Sequence, residues 1–207
     1  MPEQRKYTIG EEIANALSHT IGVLFSIFAI VIMAASSKTA AQTATTAIFG
    51  ATMFILFQCS VLYHALTNEA AKKVFQKIDH SAIYVLIAGT YTPILILTLP
   101  HPYSIAFLAV IWYLAIAGIV FSCISLKSKY IATGLYLIMG WMSVFLMYFI
   151  WTNGSQLTVY YLFAGGIVYS IGAILYLLKL KYMHCVWHLF VLGGVALHYL
   201  SILALLK

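Results

Sequence analysis

The stretch Lys179–Leu200, "KLKYMHCVWHLFVLGGVALHYL", opens with two lysines and runs on as an apolar segment carrying His184, His188 and His198. From Val186 to Leu206 it holds roughly the 20 residues that cross a bilayer core as a helix. An imidazole facing lipid is costly, so these rings must face something inside the protein. What they face decides both fold and function.

The rest of the chain is built of the same material. Of its 207 residues 63% are hydrophobic and only 8% are charged, against roughly a quarter charged in soluble domains. The solvent for most of this surface is lipid. Six further apolar runs, at Leu17–Ala35, Thr45–Leu66, Ile78–Leu99, Ser104–Leu126, Ile131–Trp151 and Leu157–Leu178, complete seven spans. None alternates with period two as a barrel strand would, and lipid leaves helices as the other choice. Short connections leave no room for a soluble domain. The expected fold is all-α: one seven-helix transmembrane bundle over residues 1–207.

Basic residues set its expected orientation. Arg5, Lys6, Lys72, Lys73, Lys77, Lys127, Lys129, Lys179 and Lys181 fall on one face, and only Lys38 and Lys207 on the other. By the positive-inside rule the N-terminus is expected to be cytoplasmic and the C-terminus outside, as in a multi-pass membrane protein. The +6 net charge is thus a topology signal with some attraction for anionic lipid, and implies no nucleic-acid partner. Thr8 and Glu11 fit a capping box for a short amphipathic helix, about residues 8–17, that leads into span one. Glu11, Glu12, Asn15 and His19 interrupt the region where a signal peptide would place its apolar core, so none is expected. Cys59, Cys123 and Cys185 have no paired spacing and read as small buried hydrophobes.

The polar residues of the spans share a depth. Span two brings Ser60 and His64 to the cytoplasmic boundary, span three starts there with Asp79, and span seven with His184 and His188. The entry to span one adds Glu12, Asn15 and His19. At about 1.5 Å rise per residue, most of these lie within about 10 Å of the inner interface. His184 and His188 are i and i+4, with Cβ atoms about 6 Å apart, a spacing that lets both rings reach one zinc. His64 is the natural third ligand, and Ser60 shares its face. Three protein ligands with an open position define a catalytic rather than a structural site.

Singly, each residue has a plainer role. The histidine pair can bond carbonyls at a helix start, Asp79 can serve as a helix N-cap, and Ser60 can bond its own helix. It is the joint pattern that points to a site, because ionisable groups within membranes are rare and usually functional. His198 lies about 15 Å deeper than His188 and cannot share its metal. His80 points off the face of Asp79, and both read as packing or hydrogen-bonding histidines. His101 belongs to an outer turn. Pro93 is expected to kink span three, and Gly165, Gly166, Gly172, Gly193 and Gly194 to allow close helix approach.

The segments "EIANALSH", "SVLYH", "DHSAIYVLIAGTYTP" and "HCVWHLF" together resemble the bacterial hemolysin III family, a branch of the group containing the progestin and adipoQ receptors. The resemblance covers essentially the whole chain. It implies a zinc held by His64, His184 and His188, an Asp79 that positions water at the metal, and a Ser60 beside it. Glu12, Asn15 and His19 match the bacterial pattern without an implied role.

The leading expectation is therefore a zinc-dependent, ceramidase-like hydrolase of a lipid amide or ester at the inner leaflet, tied to membrane-lipid homeostasis. Zinc would make water reactive near neutral pH, Asp79 would take its proton, and Ser60 would donate to the developing oxyanion. A zinc-containing sensor without turnover is the alternative, as is the cytolytic activity in the family's name. No span carries a regular polar stripe to line a pore. Span seven has no interior lysine for a retinal Schiff base.

Overall fold

The computed structural model describes residues 7–124, 129–178 and 180–207; Arg5, Lys6, Lys127 and Lys179, part of the charge argument, lie outside them. Helices α1 (Ile9–Ser36), α2 (Ala40–Ala65), α3 (Glu69–Thr98), α4 (Tyr103–Ile124), α7 (Gln156–Leu177) and α8 (Met183–Ala204) are each one continuous span. A further span is assembled from α5 (Lys129–Trp141), a 3₁₀ segment (Met142–Leu146) and α6 (Met147–Asn153). Among the described residues these seven segments are long and apolar enough to cross a bilayer. The chain is a multi-pass helical membrane protein.

α1 shows why lipid is the right solvent. Ile9, Ile13, Leu17, Ile21, Leu24, Phe28 and Val31 form an exposed stripe at helical spacing. The buried face carries Glu11, Asn15, Ser18, His19, Gly22 and Ser26. A helix with large apolar side chains outside and polar or small ones inside is the inverse of a soluble one. It is stable where outward groups meet acyl chains and inward polar groups meet partners. Gly22 is needed on that face because a Cβ there would collide with the Phe57 ring of α2. The capping box is formed: Thr8 Oγ1 accepts from the Glu11 N–H, and the Glu11 carboxylate accepts from the Thr8 N–H at 3.0 Å.

Successive helices α1 to α4 pack side by side, α7 pairs with α8, and α8 returns to α1 to close the arrangement. Phe49, Met53, Phe57, Leu95, Ile111, Val195 and Ile202 are buried between them. Several buried hydroxyls are satisfied within their own helices, as Ser26 to Gly22 (2.7 Å), Thr90 to Leu86 (2.9 Å) and Thr98 to Ile94 (2.6 Å) show. Gly165, Gly172 and Gly194 sit so close to His198, Phe190 and Tyr169 that a methyl would not fit, whereas Gly166 and Gly193 have ordinary clearance.

Three expectations are corrected. Span three starts earlier than its apolar run: Asn68 is its cap, Lys72, Lys73 and Lys77 ride on its first turns rather than in a loop, and Asp79 is a mid-helix residue, not an N-cap. The helix needs only propensity and a cap to continue past the lipid boundary, so hydropathy underestimates it. Span five is interrupted rather than uniform, because Tyr91 Oη of α3 shares its proton between the carbonyls of Met139 (3.0 Å) and Gly140 (2.8 Å). Those acceptors are thereby satisfied from outside their own helix, which lets the i→i−4 ladder lapse. Finally, the cysteines are not uniformly buried: Cys59 and Cys185 are half-covered and Cys123 is exposed.

Candidate metal centre

Four helices deliver the polar groups to one end of the bundle. His64 is in the last turn of α2 and His184 in the first turn of α8, with His188 one turn on. His64 and His188 are buried, at 3% and 2% exposure, and His184 is partly covered. Nε2 of His184 stands 3.1 Å from Nε2 of His64 and 3.1 Å from Nε2 of His188. Among the described residues this trio offers ligand atoms all within 4.8 Å of one another.

The far side of two rings fixes which nitrogens are free. Nδ1 of His64 lies 2.6 Å from Oε2 of Glu12, a carboxylate that can only accept. Nδ1 of His188 lies 3.1 Å from the carbonyl of Asn15, again an acceptor, and 3.0 Å from Ser18 Oγ. Ser18 Oγ donates to that same carbonyl at 2.8 Å, so it accepts from the ring. Both Nδ1 atoms therefore carry the proton, and both Nε2 atoms present bare lone pairs toward the third ring. His184 Nε2 can donate to only one of them at a time. A cation among the three removes that conflict. Nitrogens bound at 2.0–2.1 Å to a tetrahedral ion stand about 3.3–3.4 Å apart, close to what is found. Metal-bound histidines usually donate their other nitrogen to a carboxylate or carbonyl in this way. The donor set fits a metal.

Glu12 and Asn15 thereby acquire roles the sequence left open. Glu12 holds His64 with one oxygen while the other takes Lys72 Nζ at 2.7 Å. Asn15 acts through its backbone carbonyl on His188; its Nδ2 lies 3.5 Å from the protonated His64 Nδ1, too far and of the wrong polarity to bond it. Ser18 and Lys72 were missed. Ser18 had a signal, since it follows Asn15 by one helical turn, but serine is so common on helix faces that spacing alone says little. Glu11 joins the network from its other oxygen, accepting the Tyr182 N–H at 3.1 Å just before α8.

A cavity of about 500 Å³ opens beside the rings between α3, α5, α7 and α8, and its lining is mostly apolar. His184, His188, His19 and Asp79 all lie on its wall. Asp79 is buried, at 7% exposure, and outside the convergent trio. Ser60 is fully buried beside the Asp79 carboxyl, though its Oγ makes no well-formed hydrogen bond. His80, expected to turn away from Asp79, lines the same cavity; the cavity wraps widely enough around α3 to meet adjacent positions. Tyr7, ahead of α1, stacks near His184 with centroids 5.1 Å apart. Burial, reinforced by Tyr176 and Tyr63, pushes its phenol well above the usual tyrosine range, so it stays a neutral donor. His198 is apart, at 3.2 Å from the Leu162 carbonyl, in the hydrogen-bonding role expected of it.

The class is thus a seven-span helical membrane protein with three histidines gathered beside an internal cavity that two of them line. The profile of the haemolysin-III-related family matches residues 7–199, and the chain belongs to that family. It is 42% identical over 200 residues to Hemolysin-3 of Bacillus cereus, covering 94% of this chain and 91% of that one. It is 43% identical to the Hemolysin-3 homolog of Bacillus subtilis strain 168, covering 95% of each. More distantly it is 26% identical to the human monocyte to macrophage differentiation factor, over 95% of this chain and 85% of that one.

Proposed function

We propose that the chain is a zinc-dependent hydrolase of a lipid amide or ester, resident in a bacterial inner membrane with the three histidines toward the cytoplasm. The observation that carries this reading is the convergence of three Nε2 atoms beside a mostly apolar cavity lined by His184, His188 and Asp79. A volume of about 500 Å³ is within the range of small-molecule sites, roughly 300–1,000 Å³. Its apolar wall suits an acyl chain and is unsuited to a water-filled pore, so the haemolysis in the relatives' names is the weaker guide.

His64, His184 and His188 would hold the metal, and a zinc bound there would supply Lewis acidity toward a carbonyl and toward water. Asp79 accepts the proton of the attacking water and aims it at the carbonyl carbon. Ser60, buried beside that carboxyl, supplies a hydroxyl toward the developing oxyanion. Glu12, Asn15 and Ser18 keep two rings in the tautomer that binds. The cavity wall excludes bulk water from the reacting groups.

The test is metal analysis of purified protein followed by incubation with defined lipid amides and esters. About one zinc per chain and release of a free fatty acid are expected. A metal-bearing protein that releases nothing from any lipid class would sink the hydrolase and favour a sensor. Reporter fusions after Lys77 and Lys181 should read cytoplasmic, and those near Lys38 and after Lys207 external. The reverse pattern would move the site to the other leaflet.

A further inference from the structure

His19 is the fourth histidine of this end, and none of the roles above uses it. It is 4% exposed, and its ring stacks on His188 with centroids 3.6 Å apart and planes 16° from parallel. On its other side the Phe57 ring meets it edge-on at 5.0 Å, and Gly22 leaves the space that ring occupies. The imidazole is therefore held firmly, yet neither Nδ1 nor Nε2 makes a hydrogen bond of sound geometry, the adjacent His188 backbone included. A neutral imidazole always carries one N–H donor and one lone-pair acceptor, and leaving both unmade in a buried place destabilises the fold. A phenylalanine would pack against His188 and Phe57 without that penalty. His19 also lines the cavity beside His184 and Asp79, while standing outside the convergent trio.

We propose that His19 is a substrate-contacting residue, whose imidazole hydrogen-bonds the amide or hydroxyl of a lipid lying next to the three histidines. This rests on the lipid-hydrolase reading and narrows it. The favoured substrate carries a polar group able both to donate and to accept close to the scissile bond, as a secondary amide does. A simple ester offers only acceptors. Stacking on a metal-binding ring puts this contact at the reacting end of the lipid rather than along its tail.

The test measures binding apart from turnover. Protein carrying Asp79→Asn, so that no probe is consumed, is compared with the same protein also carrying His19→Phe or His19→Gln. The probes are a terminally brominated N-palmitoylethanolamine and a brominated hexadecane, read by quenching of Trp141 and Trp187, which line the cavity. His19→Phe should keep its full metal content and match or exceed the thermal stability of the parent. It should bind the amide about tenfold more weakly, as the loss of one or two hydrogen bonds implies, and the hydrocarbon unchanged. His19→Gln should recover part of the difference. Equal affinity of the His19→Phe protein for the amide would overturn the proposal and leave a packing residue. Loss of metal in that variant would overturn it in favour of a metal-site support. Absence of product from the wild type, with the amide preference and its His19 dependence intact, would overturn the hydrolase alone.

Discussion

The wall made by α1, α2 and α8 and the wall made by span five border one cavity and are built on opposite lines. On the first, cross-helix polar contacts are dense: Glu12 to His64, Asn15 and Ser18 to His188, Glu11 to Tyr182. His64 and His188 each have their orientation set from α1. On the other, span five is interrupted at Met142–Leu146, touches its neighbours sparsely, and is tethered by Tyr91 and by Trp141 Nε1 to Ser170 Oγ at 2.9 Å. The contrast separates positioning from enclosure. Rings that must meet within tenths of an ångström need over-determined supports, whereas a wall that only encloses an apolar cavity does not.

The strongest way to break this contrast is to remove a ring. His188→Ala should lose essentially all bound metal and all activity, while His198→Ala, deep and bonded to Leu162, should keep its metal; emission spectrometry of purified protein decides. Metal should also leave the wild type as pH falls, because protons compete for the imidazole lone pairs. An equal loss in both variants would show that metal content reports folding rather than the site.

Asp79→Asn should lower lipid hydrolysis by about 10²–10⁴-fold, the usual worth of a general base, and retain most of the metal. The assay is fatty-acid release at saturating zinc. Unaltered turnover would remove Asp79 from the chemistry.

Glu12→Gln tests the support itself. With the carboxylate replaced by an amide, His64 loses a charged, acceptor-only partner that fixes its tautomer, and metal affinity should fall by about 10–100-fold; competition with a calibrated chelator measures it. A comparable fall on Lys72→Gln would mean that the charge pair, not the His64 contact, carries the effect.

The smallest effect belongs to the other wall. Tyr91→Phe takes the shared donor from the Met139 and Gly140 carbonyls and should cost about 0.5–1.5 kcal/mol of stability. It should appear as a lowered melting temperature in detergent with metal content unchanged. Metal loss here would show that span five positions the site after all.

Much of this was legible along the chain. Composition alone demands lipid as solvent, because 8% charged residues cannot cover a soluble surface, and spans of about 20 residues follow from bilayer thickness. The i, i+4 spacing of His184 and His188 is a local fact, readable without a fold. Tertiary structure decided the rest, since the deciding contacts join residues far apart in sequence: His64 and Glu12 across 52 positions, His188 and Ser18 across 170. No local pattern specifies which carbonyl a ring will meet after helices pack, so the work of Glu12, Asn15 and Ser18 appeared only in three dimensions. The break in span five is of the same kind, arising from a tyrosine on α3 that satisfies carbonyls on another helix. The isolation of His19 is too, because an unmade hydrogen bond becomes visible only when every neighbour is in place.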